Sequence, residues 1–323
     1  MIGLDITEKE YRALKYPSYS LLSSMQKVGR DAIYGERQDL SDLDGIIIGT
    51  LVDAYLSDGV FPSNIVTITK KPSGNALKAI KGVAARVGEL ADKDDVLSPS
   101  NNAILLDEMD KNSYRPKSPS SQRLHALRNY RDYANTLVST EDPLIVSVYQ
   151  MNIANDLISQ IQTRFPWVNV EHEDYYPQVK LTGEVDGVEF KGMLDFIMVD
   201  KVNKFIYPYD IKTGSKEHYR FLETSYLQWN YYIQAGLYKE LLMQNAPPGY
   251  KVMDFRFVYC SRKDFLPIVY RVNEDRNREA WQGFTHNGIV YPGIHKLITE
   301  YKYYKANPKA MYKYGYETGE VEL

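Results

Sequence analysis

Two apolar runs divided by a short polar turn constrain this chain most. Val188 to Val199 and Phe205 to Ile211 are rich in β-branched and aromatic residues, and Lys201-Val202-Asn203-Lys204 separates them. That pattern folds as a hairpin. Each run also carries charge where a strand interior should have none. Asp195 lies among Met193, Leu194, Phe196 and Ile197, and Asp210 and Lys212 flank Ile211. Burying an unpaired charge is costly, so two acids and a lysine on paired strands ask for a compensating partner. A divalent metal supplies one, since hard cations such as Mg²⁺ take oxygen ligands. Residues 210 and 212 are two apart and point to one face of their strand. Asp210 is thereby placed to hold a metal and Lys212 to orient a water or stabilise an attacked phosphate. The Ile211 carbonyl between them is a further candidate ligand.

A helix follows. From Tyr226 to Leu242, residues Leu227, Tyr231, Ala235, Tyr238 and Leu242 form one stripe at helical spacing. Gln234 and Tyr238, at i and i+4, are neighbours on one helix face. Asp195, then Asp210-Ile211-Lys212-Thr213, then Tyr231-Tyr232-Ile233-Gln234-Ala235-Gly236-Leu237-Tyr238 resemble the motifs of the PD-(D/E)XK nuclease superfamily. Within it the likeness is to RecB-like nucleases, and more closely to the exonuclease VIII (RecE-type) phage exonucleases. These carry Asp-x-Lys-Thr ahead of a helix with Tyr-x-x-Gln-Ala-x-x-Tyr. Leu194-Asp195 stands where the superfamily's name has Pro-Asp.

A second stretch joins the resemblance. Gly45 to Ser57 is apolar enough for a buried helix, yet Asp53 lies among Leu51, Val52, Ala54 and Leu56. The relatives have a Gly-x-x-x-His helix whose His binds the metal. Gly49-Thr50-Leu51-Val52-Asp53 fits that pattern with Asp in place of His, a harder ligand suited to Mg²⁺. A strand expected from Val168 to Leu181 would put Glu171 and Glu173 on one face, and Glu173 is the candidate for a supporting ligand.

Composition narrows the chemistry. A single cysteine, Cys260, excludes a cluster of four cysteines, and five scattered histidines lack the spacing of a zinc site. No apolar run approaches the roughly 18 residues that span a bilayer, and the opening residues lack a signal-peptide pattern, so a cytoplasmic location is expected. A formal charge of −3 does not mark a nucleic-acid binder, but basic residues are locally grouped. Lys78, Lys81 and Arg86 lie on a helix expected from Ser73 to Ala91. Lys302 and Lys305 belong to a C-terminal run, Lys296 to Tyr314, in which lysines interleave with tyrosines. Such a mix suits a phosphate backbone or a single strand.

The expected fold is α/β, a central mixed sheet flanked by helices with a helical N-terminal part. Its segments are a mainly helical part at 1–165, a nuclease core at 166–275, and C-terminal helices with a basic Tyr/Lys-rich tail at 276–323, expected together as one compact catalytic unit. One helix is expected from Asp142, as N-cap, to Phe165, and another from Ser121 to Val138. The resemblance implies a Mg²⁺-dependent exonuclease, with Mn²⁺ as substitute, that resects duplex ends in phage or prophage recombination. Asp53, Asp195 and Asp210 would hold the metal. Lys212 would act on water or phosphate, and Gln234 and Tyr238 would orient the lysine or contact DNA. Duplex ends, single strands, a single-strand-annealing recombinase and a ring-shaped homo-oligomer are the partners it suggests. A structure-specific endonuclease and an inactive DNA-binding relative are the alternatives.

Overall fold

The computed structural model describes residues 2–35, 43–88 and 95–310. Two turns set its sheet. Asp186 and Gly187 both take positive φ, 50° and 72°, as a two-residue primed hairpin turn requires. They join the strands Tyr175–Val185 and Val188–Asp200. At the far end Asp200 Oδ1 accepts from the amides of Val202 and Asn203 at 3.0 and 2.8 Å, an Asx-type turn. Lys204, with φ of 57°, then leads into the strand Phe205–Gly214. These three strands are antiparallel. Phe255–Ser261 lies parallel to Phe205–Gly214, and Pro267–Val272 pairs antiparallel beyond it. Lys251–Val252 adds a short parallel pair with Phe205 and Ile206. A parallel neighbour needs a crossover, and the helix Tyr231–Asn245 provides it. The architecture is the expected α/β one, a mixed central sheet with flanking helices.

The crossover helix is apolar almost all round, and buries Tyr232, Ile233, Gln234, Ala235, Gly236, Leu237, Tyr238, Leu241 and Leu242. A helix of that kind belongs inside a core rather than on its surface. It shares a core with Val179, Leu181, Leu194, Ile197, Val199 and Ile206 of the sheet. A separate aromatic layer stacks Tyr175 on Phe196 at 4.7 Å and Phe196 on Tyr209 at 4.8 Å, with Trp167 5.0 Å from Tyr209. Strict period-two alternation would group Phe196 with Leu194. Instead Leu194 belongs to the first core, Phe196 to the aromatic layer, and Ile197 and Val199 to the first core again. The alternation changes phase at Asp195.

Several expected elements differ. The strand expected from Val168 begins at Tyr175, because the preceding residues form turns in which Asn169 Oδ1 accepts from the Glu171 amide and the His172 carbonyl from the Tyr175 amide, both at 3.0 Å. The helix expected from Asp142 begins at Val148. Leu144–Ser147 is a strand paired in parallel with Ile65–Ile68, and Asp142 takes φ of 44° instead of capping. The helix expected from Ser121 to Val138 is two, Ser120–Arg128 and Arg131–Ser139. The stretch from Tyr226 divides into a π-helical Leu222–Leu227 and the helix from Tyr231, with Asn230 at φ of 56° between them.

By its contacts the chain divides into two compact units, Met1–Val60 with Asp156–Leu323, and Phe61–Asn155. The first contains the six-stranded sheet. The second gathers the helices Gly74–Gly88, Asn102–Lys111, Ser120–Arg128 and Arg131–Ser139 about a core that includes Ala79, Ile80, Val83, Leu105, Met109 and Leu127. Among the described residues no helix is long and apolar enough to cross a membrane. The part of the Tyr/Lys-rich run beyond residue 310 lies outside the described residues.

Candidate active site

The site forms where the central hairpin stops pairing. Val188–Asp200 and Phe205–Gly214 are in register from Asp200 opposite Phe205 to Phe196 opposite Tyr209. Asp195 and Asp210 are the next facing positions. There a side chain replaces the backbone acceptor, and the Ile211 amide donates to Asp195 Oδ2 at 2.6 Å. Asp210, 1% exposed, accepts from Gln234 Nε2 at Oδ2 and forms an ion pair with Lys212 at Oδ1. Among the described residues no donor is aligned for a hydrogen bond to that Oδ1 beyond its ion pair, and none reaches the buried Gln234 Oε1. The Lys212 ammonium is 4.7 Å from the centre of the Tyr231 ring, within cation–π range.

Glycines bring the other elements close. A Cβ on Gly192 would lie 2.8 Å from the Tyr238 ring, so only glycine lets that ring lie against its strand. Tyr238 meets Tyr19 edge-on at 5.8 Å. Gly49 brings the helix Asp44–Asp58 beside Thr213, whose hydroxyl would be 3.5 Å from an added Cβ. One turn further along that helix is Asp53. Its two carboxylate oxygens each accept from Gln178 Nε2 at 3.3 Å, and the same nitrogen donates to Ser57 Oγ at 2.9 Å.

The charges are strongly coupled. Burial, then the charges of Asp210 and Asp53, push the Asp195 carboxyl well above its ordinary range, against Lys212 and the Ile211 amide. Burial raises Asp210 too, opposed by Lys212 and Gln234. Burial and the Asp210 charge push Asp53 up to about 6. For Lys212, burial disfavours the charge, but Asp210 and the neighbouring Tyr231, Tyr19 and Asp195 outweigh it and hold the ammonium protonated. Three acids and one lysine leave the site short of positive charge, and its donors are hard oxygens with one orphaned acceptor on Gln234. That set fits a divalent cation such as Mg²⁺. Among the described residues no three His, Cys, Asp or Glu side chains are gathered tightly enough to enclose a metal as they stand. As they stand, the carboxylates are engaged by Lys212, the Ile211 amide and Gln178.

The structure thus brings Asp53, Asp195, Asp210, Lys212, Gln234 and Tyr238 together, with the Ile211 backbone between the two strand acids. Glu173 is not among them: it is exposed in the turns before Tyr175, where its carbonyl accepts from Lys201 Nζ at 3.2 Å. Lys78 and Lys81 are exposed on the helix Gly74–Gly88 of the other unit. Arg86, on the same helix, is engaged by Asp107 and by the buried Glu108, the latter at 3.1 Å. It neutralises a buried acid. Lys302 and Lys305 are exposed on the helix Ile294–Ala306. Sequence reasoning missed Tyr19, Tyr231 as the ring beside Lys212, and Gln178. The motif tyrosine at 231 was the only one with a signal.

Residues 129–287 match the model of a family described as a PDDEXK-like domain of unknown function. Comparison with curated proteins finds no match. Among solved structures, the crystal structure of SSO0001 aligns at 12% identity over 84% of this chain and 88% of that one, with a TM-score of 0.28, a likeness too slight to carry an argument. The mixed sheet, the Asp-x-Lys strand at its centre and the family match agree, and residues 129–287 therefore form a PDDEXK-like domain of the PD-(D/E)XK nuclease superfamily.

Proposed function

We propose that the chain is a Mg²⁺-dependent deoxyribonuclease that resects the ends of duplex DNA. The observation that carries this reading is the set of three carboxylates, from one helix and two strands, coupled in one site with a single lysine. Asp53, Asp195 and Asp210, with the Ile211 carbonyl, would hold the cation. A divalent ion there supplies a Lewis acid for the phosphate and a more acidic water. Lys212, kept charged by Asp210, is set to stabilise negative charge developing on the phosphate. Gln234 fixes the Asp210 carboxylate through Nε2, and Tyr238 backs it one turn along the helix. The resemblance to RecE-type enzymes supports action at ends, in phage or prophage recombination, with Mn²⁺ able to replace Mg²⁺. It also supports a ring-shaped oligomer, a single-strand-annealing partner and a cytoplasmic setting.

The test incubates linear and closed-circular duplex DNA with the protein, in Mg²⁺ and in EDTA. Loss of linear DNA in Mg²⁺ alone, with circles spared, is the expected result. Circles cut as fast as linear DNA would make it an endonuclease. No cutting with retained DNA binding would make it an inactive relative, and full activity in EDTA would remove the metal from the reading.

A further inference from the structure

Gln178 is the one non-glycine residue inside the strand Tyr175–Val185 with positive φ, at 50°. Left-handed backbone is unfavourable for a residue with a Cβ, and within a strand it also breaks the pleat. The register shows the break: every position from Tyr175 to Val185 pairs with the neighbouring strand except Gln178. The position opposite the gap is Asp195. On the partner strand the inside–outside alternation changes phase at the same place, between Leu194 and Ile197. The two strands are thus distorted together at one row, which leads across the sheet from Gln178 to Asp195 and Asp210.

Strain of this kind persists only where surrounding contacts enforce it, and it clusters at functional sites. Here the distorted residue makes one set of side-chain contacts. Its amide nitrogen reaches both oxygens of Asp53 at 3.3 Å and Ser57 Oγ at 2.9 Å. Asp53 and Ser57 are one turn apart on the helix Asp44–Asp58. A single side chain therefore ties that helix, at its acid, to the strand position facing Asp195. A carboxylate with free rotation offers a cation many orientations; one gripped at both oxygens offers few. Removing a partner that orients a ligand in this way typically costs roughly 10- to 100-fold in metal affinity.

We propose that Gln178 is a positioning residue that presents the Asp53 carboxylate to the divalent cation. This rests on the metal-dependent reading above. The backbone strain is retained because a left-handed residue at this row aims the amide at the helix.

The experiment titrates Mg²⁺ into DNA-free protein by calorimetry, for the parent, Gln178→Met, Gln178→Gly, Asp53→Asn and the double variant Gln178→Met/Asp53→Asn. Gln178→Met keeps the side chain's length and removes its donor. Gln178→Gly suits the positive φ and removes the side chain, so its thermal midpoint in EDTA should stay at or above the parent's. Both should weaken Mg²⁺ binding on the order of 10-fold. If Gln178 acts through Asp53, adding Gln178→Met to Asp53→Asn should cause no further loss. Parent-like Mg²⁺ affinity in both Gln178 variants would overturn the proposal. So would losses from Gln178→Met and Asp53→Asn that multiply in the double variant. A parent that binds no Mg²⁺ removes the metal reading and this inference with it, and the parent titration separates that outcome from the others.

Discussion

Lys212 and Asp210, two residues apart on one strand, form an ion pair at the buried end of the central hairpin, with Tyr231 4.7 Å from the ammonium. Removing one partner of a buried pair leaves the other charge uncompensated, which costs roughly 3–5 kcal/mol. Lys212→Ala should therefore lose cutting activity by about 100-fold or more and also lower the urea midpoint in EDTA. Asp210→Asn should lose activity to the same degree with a smaller loss of stability, because the Lys212 ammonium it leaves behind is 17% exposed and still faces the Asp195 charge, whereas the Asp210 carboxylate is 1% exposed. Equal stability in Lys212→Ala and the parent would show that the pair is not what holds this end of the strand.

Asp53 makes the metal-free fold sensitive to pH. Its carboxyl is pushed up from 3.8 to about 6, so the folded state holds the proton more tightly than the unfolded one. The folded state is thus favoured most below about pH 4. This contribution declines as pH rises towards about 6 and is then gone. A shift of about two units at about 1.4 kcal/mol each is on the order of 3 kcal/mol. Asp53→Asn should be more stable than the parent at pH 8 in EDTA by up to that amount, and the two should converge near pH 4. Denaturant melts at both pH values check this, and parallel curves for the two proteins would contradict it.

Gly192→Ala tests the packing beneath Tyr238. The added methyl would meet the ring at 2.8 Å and Leu241 Cδ1 at 3.1 Å, and both residues are buried. Overpacking of this kind costs roughly 1–3 kcal/mol, read from urea denaturation. Activity should fall as well, since the displaced ring lies one turn from Gln234.

Lys302 and Lys305 are exposed on one helix. If both contact phosphates, the double alanine variant should lower the slope of log affinity against log salt by about 2. An unchanged slope would assign these lysines to solvent.

What the sequence disclosed was local. The hairpin could be read from two apolar runs and a polar turn, and the site from charges out of place within them. Helical spacing put Gln234 and Tyr238 on one face, and the resemblance to the nuclease motif made them site candidates. What stayed hidden depends on distant partners. No feature of Tyr-Pro-Gln-Val-Lys around Gln178 reveals a positive φ, because the strand's register against Asp195 imposes it. Asp142-Pro143 has the composition of a helix start, yet Leu144–Ser147 is claimed by a strand more than seventy residues upstream. The pairing of Arg86 with Glu108 was not legible either, because Glu108 lies on another helix.

The insertion of Phe61–Asn155 between the two parts of the sheet-bearing unit has a consequence for synthesis. Domains fold broadly in the order they leave the ribosome. Asp53 emerges early, but the strands with Asp195 and Asp210 emerge only after the whole inserted unit, and Gln234 later still. The helix Asp44–Asp58 must wait through that interval without the sheet it rests on. A polypeptide released before Asp195 carries Asp53 without either strand acid, so incomplete translation products of that length contain one side of the candidate site and nothing for it to face.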